Sequence, residues 1–289
     1  MQQLAFGKKI KLSDLDKVKS LISGLKLHTI CTEALCPNIS ECFSKLQATF
    51  LILGNICTRG CQFCNVTKGK PEAVDLTEPL RIKKAIERLQ LKHAVITSPT
   101  RDDLADGGAL FFYQTILAIK KIPFLESVEV LIPDFKANPK SIKKVVAAKP
   151  DIIGHNLETV SRLYRVRRGA DYQRSLLVLK KIKEVNPEIK TKSALILGLG
   201  EKKKEVVRVI KDLRRVNCDF LALGQYLVPR KSNYPLKRIV KEQEFSYYKK
   251  KAYSLGFLHV EAGTYVRSSY HADKYLNQHS VPATEWDGR

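Results

Sequence analysis

The chain has 289 residues, with 51 Lys and Arg against 29 Asp and Glu, which gives a formal net charge of +22. Its 44% hydrophobic residues and mean hydropathy of −0.20 are typical of a globular protein and exclude a largely disordered chain. No apolar run reaches the ~18 residues of a membrane span, and the segment from Met1 to Ile30 lacks the apolar centre of a targeting signal. We therefore expect a cytoplasmic protein that has no membrane partner.

Short apolar runs alternate along the chain with charged amphipathic stretches, a pattern typical of buried strands and the helices that cover them. The predicted strands are Ala48–Gly54, His93–Ser98, Ser127–Pro133, Asp151–His155, Lys192–Gly198 and Asp219–Gln225. The predicted helices are Glu78–Leu91, Gly108–Lys121, Pro139–Ala148, Asp171–Val185 and Glu201–Val216. Six strand–helix units predict an α/β fold, a partial parallel (β/α)6 TIM-type barrel with N- and C-terminal extensions.

Polar residues follow the predicted strands, among them His155, Asn156 and the stretch Gly198–Glu201. In parallel α/β folds the carboxyl ends of the strands meet at one edge, where ligands bind. The chain has no Pro/Gly/Ser-rich linker, which favours one continuous domain. We predict an N-terminal extension over residues 1–47, the barrel over 48–228 and a C-terminal extension over 229–289.

Six of the seven cysteines lie between residues 31 and 64, and in a large cytosolic protein this clustering favours metal or redox chemistry over disulfides. Cys57, Cys61 and Cys64 form a C-x3-C-x2-C loop directly after the first predicted strand. Three thiolates at this spacing suit an iron–sulfur cluster, and they leave the fourth iron of a [4Fe–4S] cluster open to a small molecule. A zinc knuckle or buried free thiols remain alternatives, although no histidine stands at a zinc-type spacing.

A second set of cysteines precedes the first strand: Cys31, Cys36 and Cys42, with the spacing C-x4-C-x5-C. It again supplies three thiolates, one fewer than a closed four-iron cluster requires. Cys218 stands alone beside a predicted buried strand, and we interpret it as a small core residue.

The C-x3-C-x2-C loop after the first strand of a predicted barrel resembles the signature of radical S-adenosylmethionine (SAM) enzymes. The upstream C-x4-C-x5-C set narrows the resemblance to the lipoyl synthase family, and it covers about residues 27 to 272. Further matching stretches are Cys36–Ile39, Ala48–Gly54, Thr97–Ser98, Arg101–Leu104, Asp106–Gly108, His155–Val160, Gly198–Glu201, Gly224–Leu227 and Arg267–Tyr270.

The resemblance implies that Cys57, Cys61 and Cys64 hold a [4Fe–4S] cluster whose open iron binds SAM, the source of a 5′-deoxyadenosyl radical. It implies a second, auxiliary [4Fe–4S] cluster that serves as the sulfur source. The implied ligands of that cluster are Cys31, Cys36, Cys42 and, from the Ser268–Ser269 pair, Ser269.

The resemblance also implies contacts to SAM, from Asn156, Glu158, Gly198, Gly200 and Glu201. Taken without the resemblance, these residues are equally well explained by a strand-to-helix turn and a hydrogen-bonded polar cluster. In the same way, Ser268 and Ser269 suit a solvated turn, and Asp102 and Asp103 suit a cap of the following helix.

The implied activity is that of a sulfurtransferase, which inserts sulfur at C6 and C8 of an octanoyl-lysine on a lipoyl carrier domain. The carrier would be a 2-oxoacid dehydrogenase acyltransferase subunit or a glycine-cleavage H protein, and the electron donor a ferredoxin or flavodoxin. Alternatives are a radical methylthiotransferase that acts on RNA and a two-cluster electron carrier or nucleic-acid-binding protein. No RNP-type motif occurs, so a nucleic-acid partner is not expected.

Two features lie outside the resemblance. After Tyr226 and Leu227 the family shows a histidine-containing stretch, whereas Val228–Pro235 here contains no histidine. The charge of +22 is explained either by a lysine-rich solvated surface or by recruitment of an acidic carrier, with lysines such as Lys249–Lys251 as candidates.

Overall fold

The centre of the fold is an eight-stranded sheet, described in a computed structural model that covers residues 12–277. The predicted extensions continue beyond this range, so their residues 1–11 and 278–289 lie outside the described part. The strands are β1 (His28–Thr29), β2 (Thr49–Leu51), β3 (Ile56–Cys57), β4 (Thr67–Lys68), β5 (His93–Thr97), β6 (Ser127–Leu131), β7 (Ile152–Gly154), β8 (Lys190–Leu197), β9 (Phe220–Gln225) and β10 (His259–Gly263).

The strand order in the large sheet is β1-β2-β5-β6-β7-β8-β9-β10. All neighbours from β2 to β10 pair in parallel, and β1 pairs antiparallel with β2. Strands β3 and β4 form a separate parallel pair. Within residues 12–277 no ladder joins β10 to β1, so hydrogen bonds leave the barrel open on that side.

Helices follow the strands and cover the outer face of the sheet. They are α1 (Leu12–Gly24), α2 (Ile30–Glu33), α3 (Ile39–Ser44), α4 (Glu78–Leu89), α5 (Ala109–Ile119), α6 (Pro139–Ala147), α7 (Tyr172–Val185), α8 (Lys203–Arg215), α9 (Glu242–Ser254) and α10 (Lys274–Asn277). Local sequence fixes several starts: Asn138 accepts hydrogen bonds from Lys140 N and Ser141 N with Pro139 next in the chain, and Asp171 caps α7.

The predicted fold class is confirmed, and each predicted strand and helix occurs within a few residues of its predicted bounds. Strands β1, β3, β4 and β10 were not predicted, nor were helices α1, α2, α3, α9 and α10. β1 has only two residues, and β10 alternates His259, Glu261 and Gly263 with apolar residues instead of forming an apolar run. β10 continues the sheet into the predicted C-terminal extension, while α1 packs into the same apolar core as the first strands.

Side chains alternate between the two faces of each strand, so one set packs against the helices and the other faces the barrel lumen. On β6, Val128 and Val130 belong to the core beneath the helices, and Glu129 lies on the opposite face. On β8, Lys192 likewise lies opposite to Leu195 and Leu197, which pack under the helices. The lumen is therefore more polar than the branched aliphatic layers usual in such barrels.

The C-terminal segment runs into this lumen. Gly224 on β9 admits it, because a Cβ at this position would lie 2.0 Å from the carbonyl oxygen of Val266. Val266 packs with Ala194 and Ala222, and Tyr275 of α10 packs with Ile152 and Phe220. None of the helices within the described range is long and apolar enough to cross a membrane.

Two opposite charges are buried in the lumen: Lys192 Nζ lies 3.0 Å from both carboxylate oxygens of Glu129. Their side chains are 0% and 1% exposed. Removing one partner of such a pair leaves an uncompensated charge in a low-dielectric interior, which costs about 3–5 kcal/mol.

We expect Lys192→Met to lower the free energy of unfolding by about 3–5 kcal/mol, and the double variant Lys192→Met/Glu129→Leu to recover most of it. Urea unfolding followed by circular dichroism measures both. A double variant that is as unstable as Lys192→Met would show that the pair contributes by attraction beyond its desolvation cost.

Candidate functional site

The first cysteine set begins at a turn that follows β2. Leu53 has a left-handed backbone conformation with φ of +68°, and Gly54 follows with φ of +79°. The backbone of Leu53 is held on both sides: its N–H donates to Glu78 Oε2 at 2.8 Å, and its carbonyl accepts from Arg101 Nη1 at 2.9 Å. Two buried side chains thus fix the direction in which the cysteine loop leaves the sheet.

The loop from Cys57 to Cys64 is tied to its surroundings mainly through its backbone. Thr58 N donates to the carbonyl of Thr100 at 3.0 Å, and Gln62 N donates to the carbonyl of Val166 at 2.8 Å. Asn233 Nδ2 donates to the carbonyls of Gln62 and Cys64 at 3.2 and 2.9 Å. Asn233 lies in Val228–Pro235, the stretch without the family's histidine, so that stretch packs on the cysteine loop.

The side chain of Arg59 attaches the loop to two carboxylates outside it. Its guanidinium forms four hydrogen bonds of 2.6–2.9 Å, two to Asp102 and two to Asp134. Arg59 holds the pKa of the buried Asp134 carboxyl well below its usual range, against the opposing effect of burial. The carboxylate of Asp102 therefore binds the loop and does not cap a helix, and Asp103 pairs with Arg101.

The three thiols of this loop suit cluster ligation. Burial raises the pKa of Cys64 to about 12 and also raises that of Cys61. Cys57 Sγ accepts a hydrogen bond from Arg59 N at 3.3 Å. Because ligation requires thiolates, these buried thiols must lose their protons when they bind iron.

Buried polar atoms around the loop lack partners within the described residues. They are Ser98 Oγ, His155 Nε2 and Arg167 Nε. Ser98 directly follows β5, His155 directly follows β7, and Arg167 directly follows the helical turn Ser161–Val166 beside the loop. Arg167 also places a positive charge next to Cys61. The hydroxyl of Ser98 and Nε of Arg167 are unpaired donors, which fit a bound anionic cluster and a ligand with a carboxylate such as SAM. His155 Nδ1 donates to the carbonyl of Ile132 at 2.9 Å, so its unpaired Nε2 is an acceptor.

The second cysteine set lies on α2, α3 and the turns between them. Cys31, Cys36 and Cys42 line a cavity of about 490 Å³ together with Arg267 and Ser269 from the C-terminal segment. Burial raises the pKa of Cys31 to about 11 and that of Cys42 to about 12. The lining of the cavity thus includes three thiols and the Ser269 hydroxyl from opposite ends of the chain, donors that fit a cluster with one oxygen ligand.

The two serines of the C-terminal pair have different surroundings. Ser268 Oγ donates to Asn156 Oδ1 at 3.1 Å, whereas Ser269 lines the cavity of the cysteines. Of the two, Ser269 is the one placed beside the thiols.

Asn156 and Glu158 lie between the two cysteine sets. Asn156 accepts from Ser268 and donates from Nδ2 to Glu158 Oε1 at 3.0 Å. Burial raises the pKa of Glu158, while Arg167, Asn156 and Arg267 oppose the rise. The charge of Arg167 also lowers the pKa of Cys61, and that of Arg267 lowers the pKa of Cys36, so the cations around Glu158 act on a thiol of each set.

The polar side chain in the Gly198–Glu201 stretch, unlike those of Asn156 and Glu158, bonds mainly within its own turn. The Glu201 carboxylate accepts hydrogen bonds from Gly198 N and Leu199 N at 2.8 and 2.9 Å and pairs with Arg238 at 3.1 Å. The carboxylate of Glu201 therefore stabilises its own turn. Gly198 and Gly200 have φ of +111° and +106°, which glycine adopts without strain. Their carbonyls accept hydrogen bonds from Lys237 N and Arg162 Nη2, both at 2.8 Å, so most of the backbone of this turn is also paired.

A single zinc ion fits this arrangement poorly. Zinc draws its ligands onto one atom at about 2.0–2.3 Å. In the described part of the chain, no three His, Cys, Asp or Glu side chains converge in that way. The ligands of a four-iron cluster bind different irons, so they need not converge on one atom.

The sequence matches the radical SAM superfamily over residues 51–213. It is 55% identical over 268 residues to a lipoyl synthase of Geotalea daltonii, covering 93% of this chain and 91% of that protein. A lipoyl synthase of Geotalea uraniireducens is 56% identical over 268 residues, with 93% and 95% covered. The chain belongs to the lipoyl synthase family.

A solved structure of methylornithine synthase shares the fold, with a TM-score of 0.57 at 12% identity over 88% of this chain and 76% of that one. As a lipoyl synthase family member, the chain is a radical SAM enzyme of the sulfur-insertion type, and the family implies SAM and a [4Fe–4S] cluster. The methylthiotransferase and electron-carrier alternatives are therefore set aside.

Sequence analysis missed several residues that shape the site, namely Arg59, Glu78, Arg167 and Asn233. Arg59 stands between two cysteines of the motif, which marks it as part of the loop, but its partners lie far away in sequence. Asn233 carried no signal apart from its place in the departing stretch.

Glu78 makes the stability of the turn before the cysteine loop depend on pH. Burial raises its pKa to about 7, so the folded state favours the protonated carboxyl. The stability that protonated Glu78 contributes is complete below the unfolded-state pKa of about 4.3, and it is lost as pH rises through about 7. Between pH 5 and 8 we expect the native chain to lose up to about 3 kcal/mol more unfolding free energy than Glu78→Gln.

Urea unfolding of the two proteins across this pH range measures the difference. Glu78→Gln keeps an acceptor for Leu53 N and removes the titrating proton, so it serves as the matched control. Equal pH slopes for both proteins would contradict the assignment.

Proposed function

We propose that this chain inserts sulfur at C6 and C8 of an octanoyl chain held on a lysine of a lipoyl carrier domain. The cavity that Cys31, Cys36 and Cys42 share with Ser269 supports the proposal, because its lining offers donors for a second cluster in addition to those of the first cysteine loop. Both insertions replace a C–H bond by a C–S bond. The hydrogen leaves in 5′-deoxyadenosine, and the sulfur comes from the auxiliary cluster.

Cys57, Cys61 and Cys64 would hold the SAM-binding cluster, and Cys31, Cys36, Cys42 and Ser269 the auxiliary cluster. When bound, the first cluster supplies the electron that cleaves SAM, and the resulting radical removes hydrogen from carbons that no side-chain base can deprotonate. The protein's own contribution is to bind, to orient and to exclude water. Arg167 offers a buried donor for SAM, and Glu158 and the unpaired Nε2 of His155 offer buried acceptors.

The polar groups between the cysteine sets support a reaction that uses both. Asn156 contacts Glu158 on one side and Ser268 on the other, so a substrate between the sets would meet fixed polar groups. Ser269 suits a cluster that is consumed, because a hydroxyl is a harder and weaker ligand for iron than a thiolate.

The division of labour between the cysteine sets predicts different losses for two matched variants. Cys31→Ala should still form 5′-deoxyadenosine from SAM but add no sulfur to an octanoylated carrier peptide. Cys61→Ala should abolish both reactions, because it removes a ligand of the SAM-binding cluster.

Anaerobically loaded proteins are incubated with SAM, reductant and peptide, and mass spectrometry measures both products. Native protein that forms 5′-deoxyadenosine without a sulfur mass gain would overturn the lipoyl assignment. Equal loss of both products in Cys31→Ala would overturn the separate role of the second set.

Six exposed cations on segments next to the first cysteine loop support an acidic carrier as partner. We define this basic rim as Lys68, Lys70, Arg165, Arg168, Arg230 and Lys231, all exposed. Arg165 and Arg168 flank Val166, whose carbonyl holds Gln62, and Lys68 pairs through β4 with Cys57. Within residues 12–277, none of these six side chains forms an ion pair, so their charge remains available.

We propose that the basic rim receives the acidic carrier, either a 2-oxoacid dehydrogenase acyltransferase subunit or a glycine-cleavage H protein. The electron donor would be a ferredoxin or flavodoxin, which are small acidic proteins. All seven cysteines are free, which suits the reducing cytoplasm as the location.

Neutralising the rim should weaken carrier binding. We expect Arg165→Gln/Arg168→Gln to raise KM for the carrier about threefold to tenfold and to reduce its salt dependence. SAM cleavage in the absence of carrier should not change.

The matched control is Lys249→Gln/Lys251→Gln on α9, which removes the same charge near the strand starts, away from the cysteine loop. Sulfur insertion is measured over a carrier titration at low and high salt. Equal effects of the two variants would mean that net charge and not the rim recruits the carrier.

A further inference from the structure

The proposed reaction leaves one buried polar group in the barrel lumen unused. We call Glu129, Lys192 and Tyr275 the lumen anchor. Lys192 and Glu129 are fully buried and make two hydrogen bonds of 3.0 Å. They come from β6 and β8, two rigid strands of the sheet that are separated by β7.

Tyr275 joins this pair from the C-terminal segment. Lys192 Nζ lies 3.7 Å from the centre of the Tyr275 ring, a short distance for a cation–π contact. The ring also makes edge contacts with Phe220 and His259, at centroid distances of 5.3 and 4.6 Å. Its hydroxyl is buried and has no partner in the described part of the chain. The aromatic face of Tyr275, not its hydroxyl, therefore makes the attachment.

Tyr275 stands six residues after Ser269, and the chain between them is wound in consecutive turns. Backbone hydrogen bonds run from Tyr270 N to Arg267, from Lys274 N to His271 and from Tyr275 N to Ala272, at 3.0–3.3 Å. A turn closed by hydrogen bonds transmits position better than an extended chain. The C-terminal end of the segment is thus fixed at Tyr275.

The N-terminal end of the segment is fixed independently, by contacts of residues 265–268. Gly224 packs directly against the Val266 carbonyl, and Ser268 donates to Asn156. Asn38, next to the second cysteine set, donates from Nδ2 to the Tyr265 carbonyl at 2.7 Å. Ser269 lies between these contacts and Tyr275, at the wall of the cysteine cavity.

We propose that Tyr275 is a positioning residue: packed on the Lys192–Glu129 pair, it holds Ser269 in register with Cys31, Cys36 and Cys42. The inference rests on the proposed function, because it assumes that these four residues share a cluster. A serine hydroxyl is a weak iron ligand, so its binding depends on how well the protein fixes it beforehand. The three cysteines sit near their own helices, whereas Ser269 depends on a segment that crosses the lumen.

The experiment uses a chain in which Cys57, Cys61 and Cys64 are all replaced by alanine, so that bound iron reports the second cysteine set alone. This parent is loaded with iron and sulfide without oxygen, and iron release to a chelator is followed by absorbance. We expect Tyr275→Ala and the bulkier Tyr275→Leu to speed release by about tenfold or more. Tyr275→Phe, which keeps the aromatic face, should stay within about twofold of the parent.

A double-variant comparison tests whether Tyr275 acts through Ser269. Ser269→Ala alone should release iron as fast as Tyr275→Leu, and the combined variant should be no faster than either. Unchanged release in Tyr275→Leu, or additive effects in the combined variant, would overturn the positioning role. A parent chain that binds no iron would overturn the auxiliary cluster itself, which separates the two failures.

Discussion

The proposed site depends on one constraint: donors from opposite ends of the chain must meet beside a barrel that hydrogen bonds leave open within residues 12–277. Cys31, Cys36 and Cys42 precede the first parallel strand, and Ser269 follows the last. A barrel closed between its first and last strands would keep the C-terminal segment outside. The open side and the missing side chain of Gly224 instead let that segment run into the lumen and reach the cysteines.

Admitting a chain segment changes what the lumen must contain. Aliphatic layers would fill a closed barrel, whereas here Glu129 and Lys192 face a segment with polar backbone groups and aromatic side chains. Burying two charges is expensive unless both are paired, so the lysine and the carboxylate depend on each other. The same pair offers a cation to the ring of Tyr275. The polarity of the lumen and the course of the C-terminal segment are therefore two aspects of one arrangement.

The strands that are apolar on both faces could be predicted, because strands buried on both sides have continuous apolar sequences such as Ala48–Gly54. β10 could not be predicted in this way, since the lumen-facing side of that strand carries His259, Glu261 and Gly263. The cysteine sets were visible because thiol ligands must follow fixed spacings. The partners of Arg59 and Asn233 were not, because Asp134 and the carbonyl of Cys64 reach them only through the fold.

Glu201 illustrates why a motif residue and a ligand contact are different things. Its carboxylate already accepts hydrogen bonds from two backbone N–H groups and pairs with Arg238. Glu201 therefore affects a ligand only by fixing the conformation of its turn. Asn156 and Glu158 differ, because they bond to each other and Asn156 also bonds to Ser268, the neighbour of Ser269. The buried atoms without a partner in the described part of the chain are others: Ser98 Oγ, His155 Nε2 and Arg167 Nε. A buried polar group gains most from a ligand when nothing in the protein already pairs with it, so these three atoms, and not the carboxylate of the motif, are the ones that a polar ligand would satisfy.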